Sequence, residues 1–203
     1  MPRERFGAQH TFLPRRAYLS FPEIEKVVAA CKPLGLEKVR ITGGEPLLRP
    51  DLHELISRLS VTGLEVALTT NASLLPQQAA KLAEAGLDRV TVSLDALDPE
   101  VHSQMSDSNI PVGTVLDGIE AALEAGLTPL KVNCVVQRGV NETEVVPLVR
   151  HFRGTGVTVR FIEYMDVGRT NGWQLGQVVP SADILTHLQG EFDLVSVESQ
   201  RPS

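Results

Sequence analysis

The feature of this sequence that most constrains its fold is a repeated succession of helical and β patterns. Five β patterns occur, and each follows a segment whose apolar residues recur at helical spacing. Such alternation is typical of βαβ units, in which helices cover a parallel sheet. The predicted strands are Lys38–Thr42, Glu65–Thr70, Arg89–Asp95, Leu130–Val136 and Thr158–Met165. The predicted helices run from Ser20 to about Pro33, Pro50–Leu59, Pro76–Ala85, Val112–Ala125, Glu142–Phe152 and Ser181–Leu188.

Four of the five β patterns have one apolar face and one polar face. In the third pattern, for example, Val90 and Val92 alternate with Thr91 and Ser93, and successive strand residues point to opposite faces. A doubly wound sheet is buried on both faces, so its strands read as nearly continuous apolar runs. The alternation therefore predicts an α/β barrel or part of one, with helices outside and a polar ligand inside. The pattern over Thr158–Met165 is mixed.

Composition narrows the range of partners. The chain has 203 residues, of which 42% are hydrophobic and 22% charged, as in one globular domain, and its formal net charge is −6. This charge argues against a nucleic acid or an anionic membrane as the partner. No apolar stretch resembles a leader or a membrane span, so a cytoplasmic location is expected. Cys31 and Cys134 lie far apart, and we expect both to be core residues rather than metal ligands.

Polar residues follow the predicted strands at their carboxyl ends, where parallel α/β folds bind ligands. Gly43-Gly44-Glu45-Pro46 comes directly after the first strand. Its glycines allow backbone to approach a ligand, and Glu45 would present a carboxylate to an ammonium group. The alternative is a tight turn that leads into a helix. Thr69-Thr70-Asn71 and Ser93-Leu94-Asp95 end the next two strands, where such residues also serve as helix caps.

Two cations are predicted on the polar face of the barrel. Arg40 and Lys131 would be costly there unless an anion joined them. An internal ion pair with Asp95 or Glu45 is the structural alternative. A polyanionic ligand such as a nucleoside triphosphate is the functional one, because Arg and Lys are the usual phosphate binders.

Several motifs together resemble those of one known family. They are Arg40-Ile-Thr-Gly-Gly-Glu-Pro-Leu-Leu-Arg49, Thr69-Thr-Asn71, Val92-Ser-Leu-Asp95, Lys131-Val-Asn133 and Arg160-Phe-Ile-Glu-Tyr-Met-Asp-Val-Gly168. This set resembles the GTP 3',8-cyclases of molybdenum cofactor biosynthesis, a branch of the radical SAM superfamily. The resemblance extends from Met1 to about residue 195. It implies a six-stranded partial TIM barrel whose first strand is missing here, with residues 1–165 as the incomplete barrel and residues 166–203 as the start of a C-terminal tail.

The resemblance also implies two sets of binding residues. For S-adenosyl-L-methionine (SAM) they are Gly44, Glu45, Ser93 and Met165. For GTP they are Arg40, Thr69 and Lys131, with Lys38 and Arg160 as further candidates for the triphosphate. No metal ligand and no catalytic residue are identified among them.

Family members hold two [4Fe-4S] clusters on cysteines, the first in a CxxxCxxC loop that runs into a Met-Pro pair. Neither cysteine set occurs here, so we expect a chain truncated at both ends that does not by itself convert GTP to 3',8-cyclo-7,8-dihydro-GTP. A cluster-free module that binds GTP or SAM, and another radical SAM enzyme, are the alternatives. The resemblance further implies a cyclic pyranopterin monophosphate synthase downstream and is compatible with a homodimer. An exposed first strand would make the isolated chain poorly soluble.

Overall fold

The computed structural model describes residues 17–166 and 173–197, and its centre is a parallel sheet of five strands. The strands are β1 (Lys38–Ile41), β2 (Glu65–Thr70), β3 (Arg89–Ser93), β4 (Lys131–Val136) and β5 (Thr158–Glu163). Their order in the sheet is their order in the chain, and each pair of neighbours is parallel. All five predicted strands are confirmed. Within the described residues, β1 pairs with β2 alone and is an edge of the sheet.

Seven α-helices occur in the part of the chain that the structure describes. They are α1 (Phe21–Cys31), α2 (Leu52–Ser60), α3 (Leu75–Glu84), α4 (Pro99–Ser106), α5 (Val112–Glu124), α6 (Val145–Phe152) and α7 (Ser181–Gln189). Six of them were predicted, and α4 was missed. Its sequence signal is Asp98 before Pro99, and the Asp98 carboxylate accepts the backbone N–H groups of Glu100 and Val101 at 2.9 and 3.0 Å. None of these helices combines the length and apolar character that crossing a membrane requires.

Helices cover one face of the sheet and leave the other open. Because each crossover between parallel strands is right-handed and the strand order never reverses, successive helices lie on the same side. The helix-facing residues of the three central strands are buried, with Val66, Val90, Val132 and Cys134 at 0% exposure, whereas those of β1 and β5 are partly buried or exposed. The predicted one-sided barrel architecture is therefore confirmed, and a doubly wound sheet is excluded.

The fifth strand has a mixed pattern because a charged residue faces outward. The register places Thr158, Arg160 and Ile162 on the same face as the polar residues of β4. Glu163 lies on the opposite face, where its Oε1 atom accepts the backbone N–H and the hydroxyl of Ser181, both at 2.6 Å. An outward carboxylate thus caps the first turn of α7 and attaches this helix to the sheet.

The segment after β5 packs against the sheet. The Trp173 indole N–H donates to the carbonyl of Tyr164 at 3.0 Å and so attaches this segment next to the end of β5. Ile184 and Leu188 of α7 are buried in the main hydrophobic core. The domain boundary near residue 165 stays a prediction, and residues 167–172 lie outside the described residues.

The ends of β3 and β4 are joined by a partly buried polar network. The Asp95 carboxylate accepts the Val135 N–H at 2.8 Å, and the Asn141 amide donates to the carbonyls of Asp95 and Val135 at 2.8 and 2.9 Å. Burial raises the pKa of Asp95 to about 6, although the Val135 N–H acts in the opposite direction. Folding therefore favours the protonated form of this carboxyl.

The close packing of α5 gives a first prediction. A Cβ atom on Gly118 would lie 2.4 Å from the carbonyl oxygen of Ala72, in the segment after β2. Because backbone must shift to admit it, we expect Gly118→Ala to lower the free energy of unfolding by about 1–3 kcal/mol in urea denaturation. Gly113→Ala is the matched control, since Gly113 begins the same helix with no atom within 4 Å of an added Cβ. Equal stability of the two variants would contradict this packing.

A second prediction concerns the pH dependence of stability. The Asp95 pKa in the folded protein, about 6, lies above its ordinary value of 3.8. The folded state therefore binds more protons between these values, so this group's contribution to stability is present at low pH and is lost as pH rises from 4 to 6. We expect Asp95→Asn to remove this loss, which is worth roughly 3 kcal/mol. Urea denaturation of the unchanged protein and of Asp95→Asn at pH 4 and pH 7 measures this loss of stability. If the difference in unfolding free energy between the two proteins were the same at both pH values, the pKa of Asp95 would not be raised by folding.

Candidate functional site

Five cations lie on the open face of the sheet, here called the lumen face. The strand registers place Lys38 and Arg40 of β1, Arg89 of β3, Lys131 of β4 and Arg160 of β5 on this face. Within the five strands, Glu65 of β2 is the one carboxylate on the same face. We call the five cations the cation cluster. Its excess of positive charge is the main electrostatic feature of the site.

Arg40 is held by hydroxyl groups rather than by a carboxylate. Its Nη1 atom donates to the hydroxyl oxygens of Thr69 and Thr91 at 3.1 and 3.2 Å. Among the ion pairs of the described residues, none joins Arg40 to Asp95 or Glu45, which was the structural alternative. Neutral acceptors orient the guanidinium but leave its charge uncompensated.

Lys131 lies half-buried among other cations. Burial, and then the charges of four neighbouring cations, lower the pKa of its ammonium group below the ordinary value. These neighbours are Arg160, Arg89, Lys38 and Arg40. None of the ion pairs found in the described ranges involves Lys131. The cluster therefore repels itself, and an anion bound there would relieve the repulsion.

Glu65 contacts two members of the cluster through one oxygen atom. Its Oε1 lies 2.9 Å from the Lys38 Nζ and 3.1 Å from the Arg89 Nε. These contacts are ion pairs by distance, and the buried Oε1 has no well-directed hydrogen bond. Partial burial acts to raise the pKa of Glu65, but the contact with Lys38 and the charges of Arg89, Lys38 and Arg40 outweigh it, so the net shift is downward.

Arg160 is oriented by its neighbour on β4, since its Nε donates to the Asn133 Oδ1 at 3.1 Å. The structure thus brings all five predicted GTP-binding residues to one face: Arg40, Thr69, Lys131, Lys38 and Arg160. The site also contains four residues that were not predicted as site residues from the sequence: Arg89, Glu65, Thr91 and Asn133. Strand alternation contained the signal, because each lies an even number of residues from a predicted site residue on the same strand.

The predicted SAM-binding residues lie at the carboxyl edge of the sheet. Gly44 follows β1, and a Cβ atom there would meet nothing within 4 Å, so its backbone borders open space. Ser93 ends β3 with its side chain exposed, and Met165, 56% exposed, comes two residues after β5. These residues could line a ligand at this edge.

The Glu45 carboxylate has a structural role that was not predicted from the sequence. Its Oε1 accepts the Leu47 N–H at 3.0 Å and the Thr70 hydroxyl at 2.6 Å, while its Oε2 accepts the Asn71 N–H at 2.8 Å. The carboxylate therefore joins the turn after β1 to the end of β2. A ligand ammonium at this position would share an oxygen that is already hydrogen-bonded.

Neither cysteine is placed as a metal ligand. Cys134 faces the helices, is fully buried, and its Sγ lies 3.5 Å from the carbonyl of Asp95. Burial raises its pKa far above the ordinary value of a thiol, so the thiolate is strongly disfavoured. Cys31 is half-buried at the end of α1. The expectation of a core position is met by Cys134 and only partly by Cys31.

Two curated relatives of this chain bear the same name. The chain is 47% identical over 204 residues to the GTP 3',8-cyclase of Acidothermus cellulolyticus. The alignment covers 100% of the chain and 56% of that relative. It is 50% identical over 201 residues to the GTP 3',8-cyclase of Xanthomonas axonopodis pv. citri, covering 98% of the chain and 60% of that relative. The chain thus spans somewhat more than half the length of these curated relatives.

Solved structures with a similar fold show the architecture in other enzymes. Streptococcus suis SuiB bound to its precursor peptide SuiA superposes with a TM-score of 0.66 at 20% identity, over 82% of this chain and 37% of that one. A radical SAM methyltransferase from Sphaerobacter thermophilus superposes with a TM-score of 0.66 at 19% identity. This superposition covers 84% of this chain and 54% of the methyltransferase chain. The sequence profile of the radical SAM superfamily matches residues 5–152, and the chain belongs to that superfamily.

Proposed function

We propose that this chain forms the GTP- and SAM-binding core of a GTP 3',8-cyclase of molybdenum cofactor biosynthesis, which converts GTP to 3',8-cyclo-7,8-dihydro-GTP. The observation that carries the proposal is the cation cluster on the lumen face, where one carboxylate faces five cations. The names of the relatives support the same substrate.

The triphosphate of GTP is the ligand group that best matches this charge. Arg40 enters such a contact already oriented by the hydroxyls of Thr69 and Thr91, so little freedom is lost on binding. Lys131 would gain a counter-charge that no described carboxylate supplies. Lys38 and Arg160 complete the proposed contacts from the two edge strands. These residues bind and orient the substrate.

Membership of the superfamily implies SAM and an iron–sulfur cluster as cofactors. The open backbone at Gly44 and the exposed Ser93 fit a ligand with amino-acid and ribose groups, and Met165 lies at the same edge. When bound, SAM supplies the radical chemistry of the superfamily. We assign Glu45 to fixing the turn that carries Gly44, with its carboxylate near the SAM amino group.

The cysteines of this chain do not fit an iron–sulfur cluster. Such clusters are held by several thiolates, whereas the Cys134 thiol is buried on the helix-facing side and Cys31 ends α1. Any cluster that works with this site, including the two [4Fe-4S] clusters of the family resemblance, would be bound by other cysteines. The proposal further includes a cytoplasmic location, which is expected from the lack of a leader-like or membrane-spanning apolar stretch in the given sequence. It also includes a downstream cyclic pyranopterin monophosphate synthase, which the resemblance implies, and a homodimer, with which the resemblance is compatible.

A third prediction tests GTP binding by the cation cluster. We expect Lys131→Gln and Arg40→Gln each to weaken GTP binding by the full chain about 10- to 100-fold, because each removes a charge-assisted contact to phosphate. Calorimetric titration with GTP measures the affinity. Raising the salt concentration should weaken binding to the unchanged protein more than to either variant.

Arg58→Gln is the matched control, because Arg58 forms an ion pair of 3.3 Å with Glu25 between α1 and α2, away from the lumen face. Its GTP affinity should equal that of the unchanged protein. Absence of GTP binding by the chain would contradict the proposed site and also the cluster-free GTP-binding alternative. Binding that Lys131→Gln and Arg40→Gln leave intact would favour another radical SAM enzyme.

A further inference from the structure

Two cations on strands that do not neighbour each other are held by one carboxylate between them. Glu65 lies on β2, Lys38 on β1 and Arg89 on β3, and the Glu65 Oε1 contacts both at 2.9 and 3.1 Å. All three side chains are partly exposed on the lumen face, at 25–41%. Ion pairs that are this exposed contribute little to the stability of a protein. The main effect of Glu65 is therefore on the orientation of the two cations.

The Arg89 guanidinium uses one nitrogen for this contact. Its Nε makes the closest contact with Glu65, and none of the hydrogen bonds found in the described ranges is donated by its two terminal nitrogens. These nitrogens carry four N–H groups in a plane, an arrangement that matches the oxygens of a phosphate. The Glu65 charge therefore attracts the Nε side of the guanidinium, and the terminal nitrogens lie on its other side.

Arg89 also lies where a ligand of the cation cluster would reach it. The register aligns Arg40 with Ala67, and Ala67 with Arg89, so the two arginines flank a residue with a small side chain. Neighbouring strands are about 4.8 Å apart, which separates the two backbones by roughly 10 Å, a gap that two long side chains can close around a bound anion.

We propose that Arg89 is a further anion-binding residue of the lumen face, and that Glu65 is the positioning residue that orients Arg89 and Lys38 toward the anion. This inference rests on the proposed function, since the anion is the triphosphate of the nucleotide. Arg89 is thus a further cation of the binding site, in addition to those that the sequence resemblance indicates. Glu65 serves to orient the neighbouring cations rather than to neutralise their charge.

Arg89→Gln tests the first half with two probes, GTP and inorganic tripolyphosphate, each titrated into the full chain. We expect binding of both to weaken about tenfold or more, because both present the same phosphate oxygens. Arg89→Lys retains the charge without the planar fork and should fall between Arg89→Gln and the unchanged protein. Arg58→Gln is again the control with an ion-paired arginine elsewhere.

Glu65→Gln tests the second half through the sign of its effect. If Glu65 only neutralised charge, its removal would strengthen anion binding, because the cluster would become more positive. If it positions Arg89 and Lys38, binding should weaken severalfold, and the loss should be smaller when Arg89 is already Gln. Urea denaturation of each variant shows whether it remains folded, and Glu65→Asp, which keeps the charge but shortens the side chain, should also weaken binding.

The outcomes separate this inference from the proposed function. A chain that binds neither GTP nor tripolyphosphate contradicts both. A chain whose GTP binding depends on Lys131 but not on Arg89 keeps the proposed function and overturns the assignment of Arg89. Unchanged or stronger binding by Glu65→Gln overturns the positioning part of Glu65, whatever Arg89→Gln shows.

Discussion

The whole arrangement depends on a sheet whose strands follow chain order, because every crossover then moves in the same direction and every helix lies on one side. Burial of that side is complete on the three central strands and supplies the hydrophobic stabilisation. No helix of the described residues covers the other side, which can therefore carry groups that would be costly inside a core. Backbone hydrogen bonds between the parallel strands hold five cations on this side, where the single carboxylate of Glu65 offsets only part of their mutual repulsion.

Much of the fold could be predicted because local patterns and long-range packing agree. The strands alternate polar and apolar residues, and the same alternation decides which face the helices cover. The exceptions depend on contacts that local patterns do not contain. Glu163 disturbs the pattern of β5 because it caps a helix 18 residues later in the chain. Helix α4 was missed although Asp98 and Pro99 mark its start, because its own apolar periodicity is weak.

The candidate site was predictable in part for the same reason. Arg40 and Lys131 could be identified as site residues because the alternation within each strand places a cation on the polar face. The ion pairs of Glu65 depend on the register between three strands, and register is set by the packed sheet rather than by a local motif. Glu45 was expected to meet a ligand, yet its carboxylate is hydrogen-bonded to the end of β2, whose position relative to the turn follows only from the fold.

The positions of charged and open residues along the strands have a consequence for ligand size. Arg89 and Lys131 begin their strands, whereas Ser93 ends one and Gly44 follows another. Four residues of strand separate Arg89 from Ser93, a distance of about 13 Å. A small anion such as inorganic phosphate could neutralise the cluster but would not extend to the carboxyl edge. An elongated molecule with its charge at one end would reach both levels, so under the proposed function the depth of the sheet would favour a ligand of this length.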